Sequence, residues 1–302
     1  MFSEKSLDRN GLKLDREGAV VFESSESVSK NFKNSEGIFV VLEKGKGTAR
    51  CLLDGAGIPI LINVFVGKEA ELDFFIGSAG KEDRELDLKI LVKERGRLNI
   101  HELHQASSNL KLKNELSCER ESVVQRRVAN LSSGTSSIKV DCNLIGQGAD
   151  FSDTEINFGT KLASAENKIT INHASDHTTS LVKIRSVLTD ASKGLVHANV
   201  KVEKDTAEVN TSVSAHALLL DKNASAQAIP ALEIESADVQ AGHSASVSTI
   251  DEEQLFYLST RGVSLIEAKK LIVKGFLAEL IEDKKISELI EEQWEKNLML
   301  NA

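Results

Sequence analysis

Residues Val239 to Ala268 read VQAGHSASVSTIDEEQLFYLSTRGVSLIEA, and within them a two-residue alternation of strand type gives way to a helical pattern. His243 stands just before the switch among Ala241, Gly242, Ser244, Ala245 and Ser246. Its imidazole is therefore expected to stand clear of bulky neighbours, open to a partner or an ion. Alternation continues through Val247 and Thr249 to Ile250. Asp251 is a good N-cap, and Glu252 and Glu253 suit the positive end of a helix dipole. Leu255, Phe256 and Leu258 begin an apolar helical face, Gly262 ends it, and Ser264 with Glu267 predicts a capping box for the next helix.

Upstream, short apolar runs separated by Gly, Asn, Asp or charged turns recur from Gly37 onward, among them IFVVLE, IPILINVFV, AELDFFIG, LDLKILVK, SIKVDCNLIG and LVHANVKV. Each has strand length. No helical pattern intervenes before Asp251, which excludes a doubly wound α/β sheet because its crossovers need helices. Turns every ~8–12 residues fit a sandwich, a barrel or a solenoid. No strict repeat of fixed period chooses among them. The runs alternate well enough for an inside and an outside face, as at Ile184, Val187, Val196, Val200 and Val202. After Asp251 three helices are predicted, over 251–261, 264–282 and 284–299. In the third, Ile286, Ile290, Trp294 and Leu298 form one apolar stripe that must pack on the β core or present a docking surface. The chain thus divides into an N-terminal segment (1–35) with an apolar patch at Ala19–Phe22, a β core (36–250) and a helical region (251–302).

The 302 residues carry a formal charge of −9, which argues against a general nucleic-acid binder, since that needs a basic surface. The three cysteines, Cys51, Cys118 and Cys142, are odd in number and widely spaced, so no disulfide framework is predicted and a reducing cytoplasm is the expected compartment. No apolar stretch reaches the ~18 residues of a membrane span. With 19 glycines, 2 prolines and 4% aromatics, the composition suits stacked β structure built on small and β-branched residues. GKGTAR at Gly45–Arg50 lacks the spacing of a phosphate-binding loop, so ATP hydrolysis is not expected in this chain.

The block GHSAS, a short β tail and then IDEEQLFYLSTRGVSLIEAKKLIVKGFLAELIE resembles the C-terminal signature of the SufB/SufD family, scaffold proteins of iron–sulfur cluster assembly. The resemblance runs upstream to about Asn172 through NHASDHTTSLVKIRSVLTDASKGLVHANVKV and AHALLLDKNASAQAIPALEIESADVQ. It implies a mainly β fold, a right-handed parallel β-helix core with a C-terminal α-helical region. It also implies a non-enzymatic scaffold subunit, a SufC-type ABC ATPase docked at the C-terminal helices, a transient iron–sulfur cluster, and a dimer with itself or with a SufB/SufD-like paralogue. His243 falls on the histidine that SufD-type members use at the cluster-assembly interface. The cysteine position of SufB-type members falls on Ala215, next to His216. A cysteine that SufD-type members can carry two residues before the histidine is Ala241 here. The site is therefore closer to SufD than to SufB.

The candidate metal-ligating residues are His243, His216, Cys118 and Cys142. Without a C-x-x-C pair, a self-contained zinc or ferredoxin site is not predicted, and ligands must converge by folding or from a second subunit. Cys142 is expected in the core, on the face opposite Val140. Cys118, in the polar setting ELSCERESVV, is expected to be the exposed thiol. His173 and His177 in NHASDHTTS are the densest pair of possible ligands, but turn polarity explains the Asp, Ser and Thr beside them. Two other functions compete with the scaffold. A structural adaptor would have lost cluster chemistry. A β-helix carbohydrate-active enzyme would need clustered carboxylates and aromatic platforms, and the chain has 1 Trp and 1 Tyr.

Overall fold

The computed structural model describes residues 7–9, 12–18, 38–53, 60–281, 288–290 and 292. Sheet A runs β1 (Leu7–Arg9), β2 (Leu12–Gly18), β4 (Lys46–Leu53), β6 (Glu71–Gly80), β8 (Arg97–Ala106), β10 (Val123–Asn130), β12 (Asp150–Gly159), β14 (Thr179–Leu188), β16 (Val209–Leu219) and β18 (Val239–Thr249). Sheet B runs β3 (Ile38–Leu42), β5 (Ile60–Val66), β7 (Arg84–Val92), β9 (Leu110–Cys118), β11 (Thr135–Leu144), β13 (Ser164–His173), β15 (Lys193–Val202) and β17 (Ser225–Ile234). From β3 onward the chain alternates between sheets, and each strand pairs in parallel with the strand two later. The result is a parallel β-solenoid, with the 8-stranded sheet B taking one strand per rung. The β1–β2 pair is antiparallel and extends sheet A at its N-terminal edge through Leu12↔Leu53. The Ala19–Phe22 patch lies outside the described residues.

Side chains alternate along each strand, so one set fills the lumen. In β14 to β15 the inward set includes Ile184, Val196, Val200 and Val202, all buried in one apolar cluster. Val187 belongs to the other face, three residues on from Ile184, and is buried in a second cluster outside the solenoid. The lumen is mostly apolar, but it holds Arg126, a fully buried guanidinium on β10, and, further along, His173 with Ser180 and Thr211.

The missing fixed period has a structural cause. Stacked residues lie 26 positions apart between Asp73 and Asn99 but 31 apart between Thr179 and Asn210. The strands keep their lengths while the corners grow. At the corner from sheet B to sheet A, the left-handed region is occupied rung after rung by Glu69, Arg95, Glu121, Gly148 and His177, with φ between 53° and 71°. Such a φ is costly for most non-glycine residues. Here each of these N–H groups donates to a carbonyl of the next corner: Glu69 to Glu94, Arg95 to Arg120, Glu121 to Gln147, Gly148 to Asp176 and His177 to Ala207. The stacking offsets the strain.

The helical switch falls where the sequence predicts it. Helix α1 (Glu252–Thr260) begins at Asp251, whose Oδ1 accepts from the Glu253 N–H at 2.9 Å. It ends in a Schellman pattern, with Gly262 at φ +82°, Val263 N–H to Leu258 O and Gly262 N–H to Ser259 O. Helix α2 (Leu265–Leu277) carries the Ser264/Glu267 capping box. It stops short of the predicted 282, because tighter bonds from Ala278 to Gly275 and from Leu280 to Leu277 close its last turn. Val273, Leu277, Leu280 and Ile290 pack on Leu131, Ile156, Phe158, Val187, Leu218 and Leu220 on the outer face of sheet A. Ile290 thus follows the packing alternative for the apolar stripe. Ile286, Trp294 and Leu298 lie outside the described residues. No helix among the described residues is long and apolar enough to cross a membrane.

Candidate functional site

β17 and β18 are the last strands of their sheets, so one long edge of each bounds the C-terminal end of the solenoid. Pro230, which lacks an N–H, lies in β17, where an edge tolerates it. Register pairs His243 with Val213. Val213 points into the lumen and is 1% exposed. His243 stands on the same side of sheet A, flanked along its row by Ala241 and Ala245, yet is exposed because no described rung stacks beyond it. Its accessibility comes from its place on the terminal rung as well as from small neighbours.

His216 faces the other way. Its register partner is Ser246, and the two ring nitrogens lie 2.6 Å from Ser246 Oγ (Nδ1) and 3.3 Å from Ser244 Oγ (Nε2), so it ties the terminal strand to β16. Partial burial, and then the charge of Arg185 in the adjacent row position, hold its pKa below the ordinary histidine value, against the pull of Glu279. Arg185 donates to Ser214 Oγ at 3.1 Å and to Glu279 Oε2 at 3.3 Å, and Lys183 also binds Glu279. These contacts anchor the end of α2 on the sheet. His243 and His216 sit on opposite faces of sheet A and are not brought together.

The cysteines lie elsewhere. Cys118 is fully buried, contrary to the expected exposed thiol, because Leu112, Asn114, Leu116 and Cys118 share the lumen face while the polar Glu115 and Ser117 point out. Cys142 is in the core as expected, but on the same face as Val140, as a period of two without a bulge requires. The two thiols are neighbours in the core, and burial pushes the Cys142 thiol far up, with Cys118 and Asp153 adding to the shift. β11 is three strand spacings, about 14 Å, from β17. The structure therefore does not bring Cys118 or Cys142 to His243. His173 is buried between Thr178 Oγ1 and Ser180 Oγ, each at 2.8 Å, and burial lowers its pKa to about 4. His177 occupies the left-handed corner stack, 3.1 Å from Glu208. Among the described residues, no three His, Cys, Asp or Glu side chains are grouped to hold a metal ion.

Sequence reasoning missed two features. The first is the exposed apolar surface of the helices: Phe256 is 71% and Tyr257 57% exposed, no residue of α1 is buried, and Leu265, Ile266 and Leu271 of α2 are exposed. Alternation of polarity along a helix marks an apolar face but not whether the same chain covers it. The second is the polar group around Arg126, which a charge at a lumen position between Val124 and Val128 could have signalled.

A parallel β-solenoid with an exposed terminal-rung histidine and a helical extension packed on one sheet defines the class of protein. The SUF system FeS cluster assembly, SufBD core domain model matches residues 58–276, most of the chain, and the chain belongs to that family. It is 29% identical over 165 residues to the iron–sulfur cluster assembly protein SufD of Bacillus subtilis, covering 54% of this chain and 38% of that protein. It is 31% identical over 137 residues to an iron–sulfur cluster assembly SufBD family protein of Staphylococcus saprophyticus, covering 45% of this chain and 30% of the relative. The matches thus span well under half the length of these relatives.

Proposed function

We propose that this chain is a SufD-like scaffold subunit for iron–sulfur cluster assembly, with His243 supplying one ligand to iron or to a transient cluster. The single observation that supports this reading is the exposure of His243 on the solenoid's terminal rung, in a chain of the SufBD family. One imidazole cannot hold a cluster. The remaining ligands would come from a second subunit docked against the β17–β18 end, whose unpaired backbone groups favour pairing with another chain. That subunit is a second copy or a SufB/SufD-like paralogue. A structural adaptor without cluster binding is the second reading, favoured by Ala215 and Ala241 where related proteins can carry cysteines. Purified anaerobically, the wild type is expected to retain iron and sulfide and to sediment as a dimer, alone or with its paralogue. His243→Ala is expected to lose at least half the iron with an unchanged melting temperature. Equal iron in the two proteins would remove His243 from the site, and an iron-free wild-type dimer would favour the adaptor.

The partner reading is an ABC-type ATPase docked on the exposed Phe256, Tyr257, Leu265 and Ile266 of α1 and α2. Truncation before Asp251 is a poor test, since it strips Leu131, Phe158 and Leu218 of their cover. Phe256→Asp leaves packing intact and is expected to weaken binding of the purified ATPase of a SUF system at least tenfold by calorimetry. Unchanged affinity would move the docking site elsewhere.

A further inference from the structure

Arg126 projects into the lumen of the middle rungs and meets three acids. Its Nε donates to Glu102 Oε1 at 2.6 Å, and its Nη1 donates to both Asp153 oxygens at 3.0 Å and also to Glu155 Oε1. Its Nη2 has no partner. Glu102 Oε2 lies 3.0 Å from His104 Nε2, whose Nδ1 lies 2.9 Å from Ser78 Oγ, and Glu155 Oε2 accepts from Asn167. Every charged side chain in the group is at most 1% exposed.

The charges do not balance. Three ionised carboxylates against one guanidinium would leave two negative charges in a fully buried group. A buried carboxylate without a partner neutralises by taking up a proton. Glu102 has both a guanidinium N–H and His104 to itself. Asp153 and Glu155 instead converge on the single Nη1. The excess charge therefore sits on that pair.

We propose that the lumen holds one resident proton at neutral pH on the Asp153 carboxyl, which shares the Arg126 Nη1 with Glu155, and that this proton makes the middle rungs of the solenoid a pH-responsive lock. The lock is independent of any role for His243. The groups that act on Asp153 are Arg126 from β10, Glu102 with His104 behind it from β8, Glu155 from its own strand and the Cys142 thiol from β11. Asn167 of β13 reaches the pair through Glu155, and β14 presents Val182, the register partner of Asp153, and Ile184. Burial pushes the Asp153 carboxyl well up, Arg126 pulls it back, and Glu155 and Glu102 push it further up. Burial also acts upward on Glu102, but Arg126 and His104 outweigh it and hold that group at about 2. Glu102 is thus ionised.

For a carboxyl raised on folding, the native state keeps a proton that the unfolded chain has lost, so stability falls as pH climbs from the unfolded to the folded pKa. Urea unfolding from mildly acidic to mildly alkaline pH tests the lock on the full chain. The wild type is expected to lose up to about tenfold in its folded-to-unfolded ratio per pH unit from this one proton. Asp153→Asn, which mimics the protonated acid, is expected to flatten that slope and to remove a protonated-carboxyl infrared band present in the wild type. If Asp153→Asn does not fold, Glu155→Gln, which removes the like charge that helps hold the proton on Asp153, is expected to weaken the slope. Parallel pH profiles for wild type and variant, or a wild type without the band, would overturn the proposal.

Discussion

Arg126→Met is expected to lower stability by about 3–5 kcal/mol at neutral pH, because it leaves buried carboxyls without their cation. The loss should shrink on acidification as Glu102 takes up a proton, since a neutral acid no longer needs the guanidinium. Urea unfolding at two pH values reads both effects. Lys46→Ala, which breaks a surface pair with Glu71 at 2.6 Å, is the control and is expected to change little. An Arg126→Met variant as stable as that control would mean the buried ion pairs contribute nothing net.

Gly146→Ala is expected to cost about 3 kcal/mol, at the upper end of overpacking effects. A Cβ at residue 146 would lie 2.0 Å from the Arg120 backbone nitrogen and 2.3 Å from the Glu119 carbonyl carbon. The backbone has little room to retreat, because Gly146 N–H donates to Cys118 O and its carbonyl accepts from Ala149 N–H. Gly242→Ala on the terminal strand meets nothing within 4 Å and is expected to be nearly neutral. Similar denaturation midpoints for the two variants would show that the corner yields more easily than its hydrogen bonds imply.

The helical switch at Asp251 was legible in the sequence because caps are local: Asp251, Gly262, Ser264 and Glu267 each act within a few residues. The strands were legible for the same reason. Their winding was not, since the partner of Asp73 is 26 residues away and that of Thr179 is 31, and only the family resemblance supplied the β-helix. The burial of Cys118 is hidden in the sequence because its polar neighbours Ser117 and Glu119 adjoin it along the chain, whereas in a strand adjacent residues belong to the opposite face. The small neighbours of His243 are readable along the chain. That it sits on the last rung, in register with the buried Val213, is a property of the whole stack.

The uneven rungs bear on how such a chain can change in length. Extra residues at a corner leave the ladder in register, as the step from 26 to 31 shows. One extra residue inside a strand would turn every following lumen side chain outward, unless a bulge absorbed it. Insertions and deletions are therefore tolerated at the corners or as whole rungs. Two relatives can differ there freely while the order of buried side chains is preserved, so length and overall identity are poor measures of kinship in this architecture.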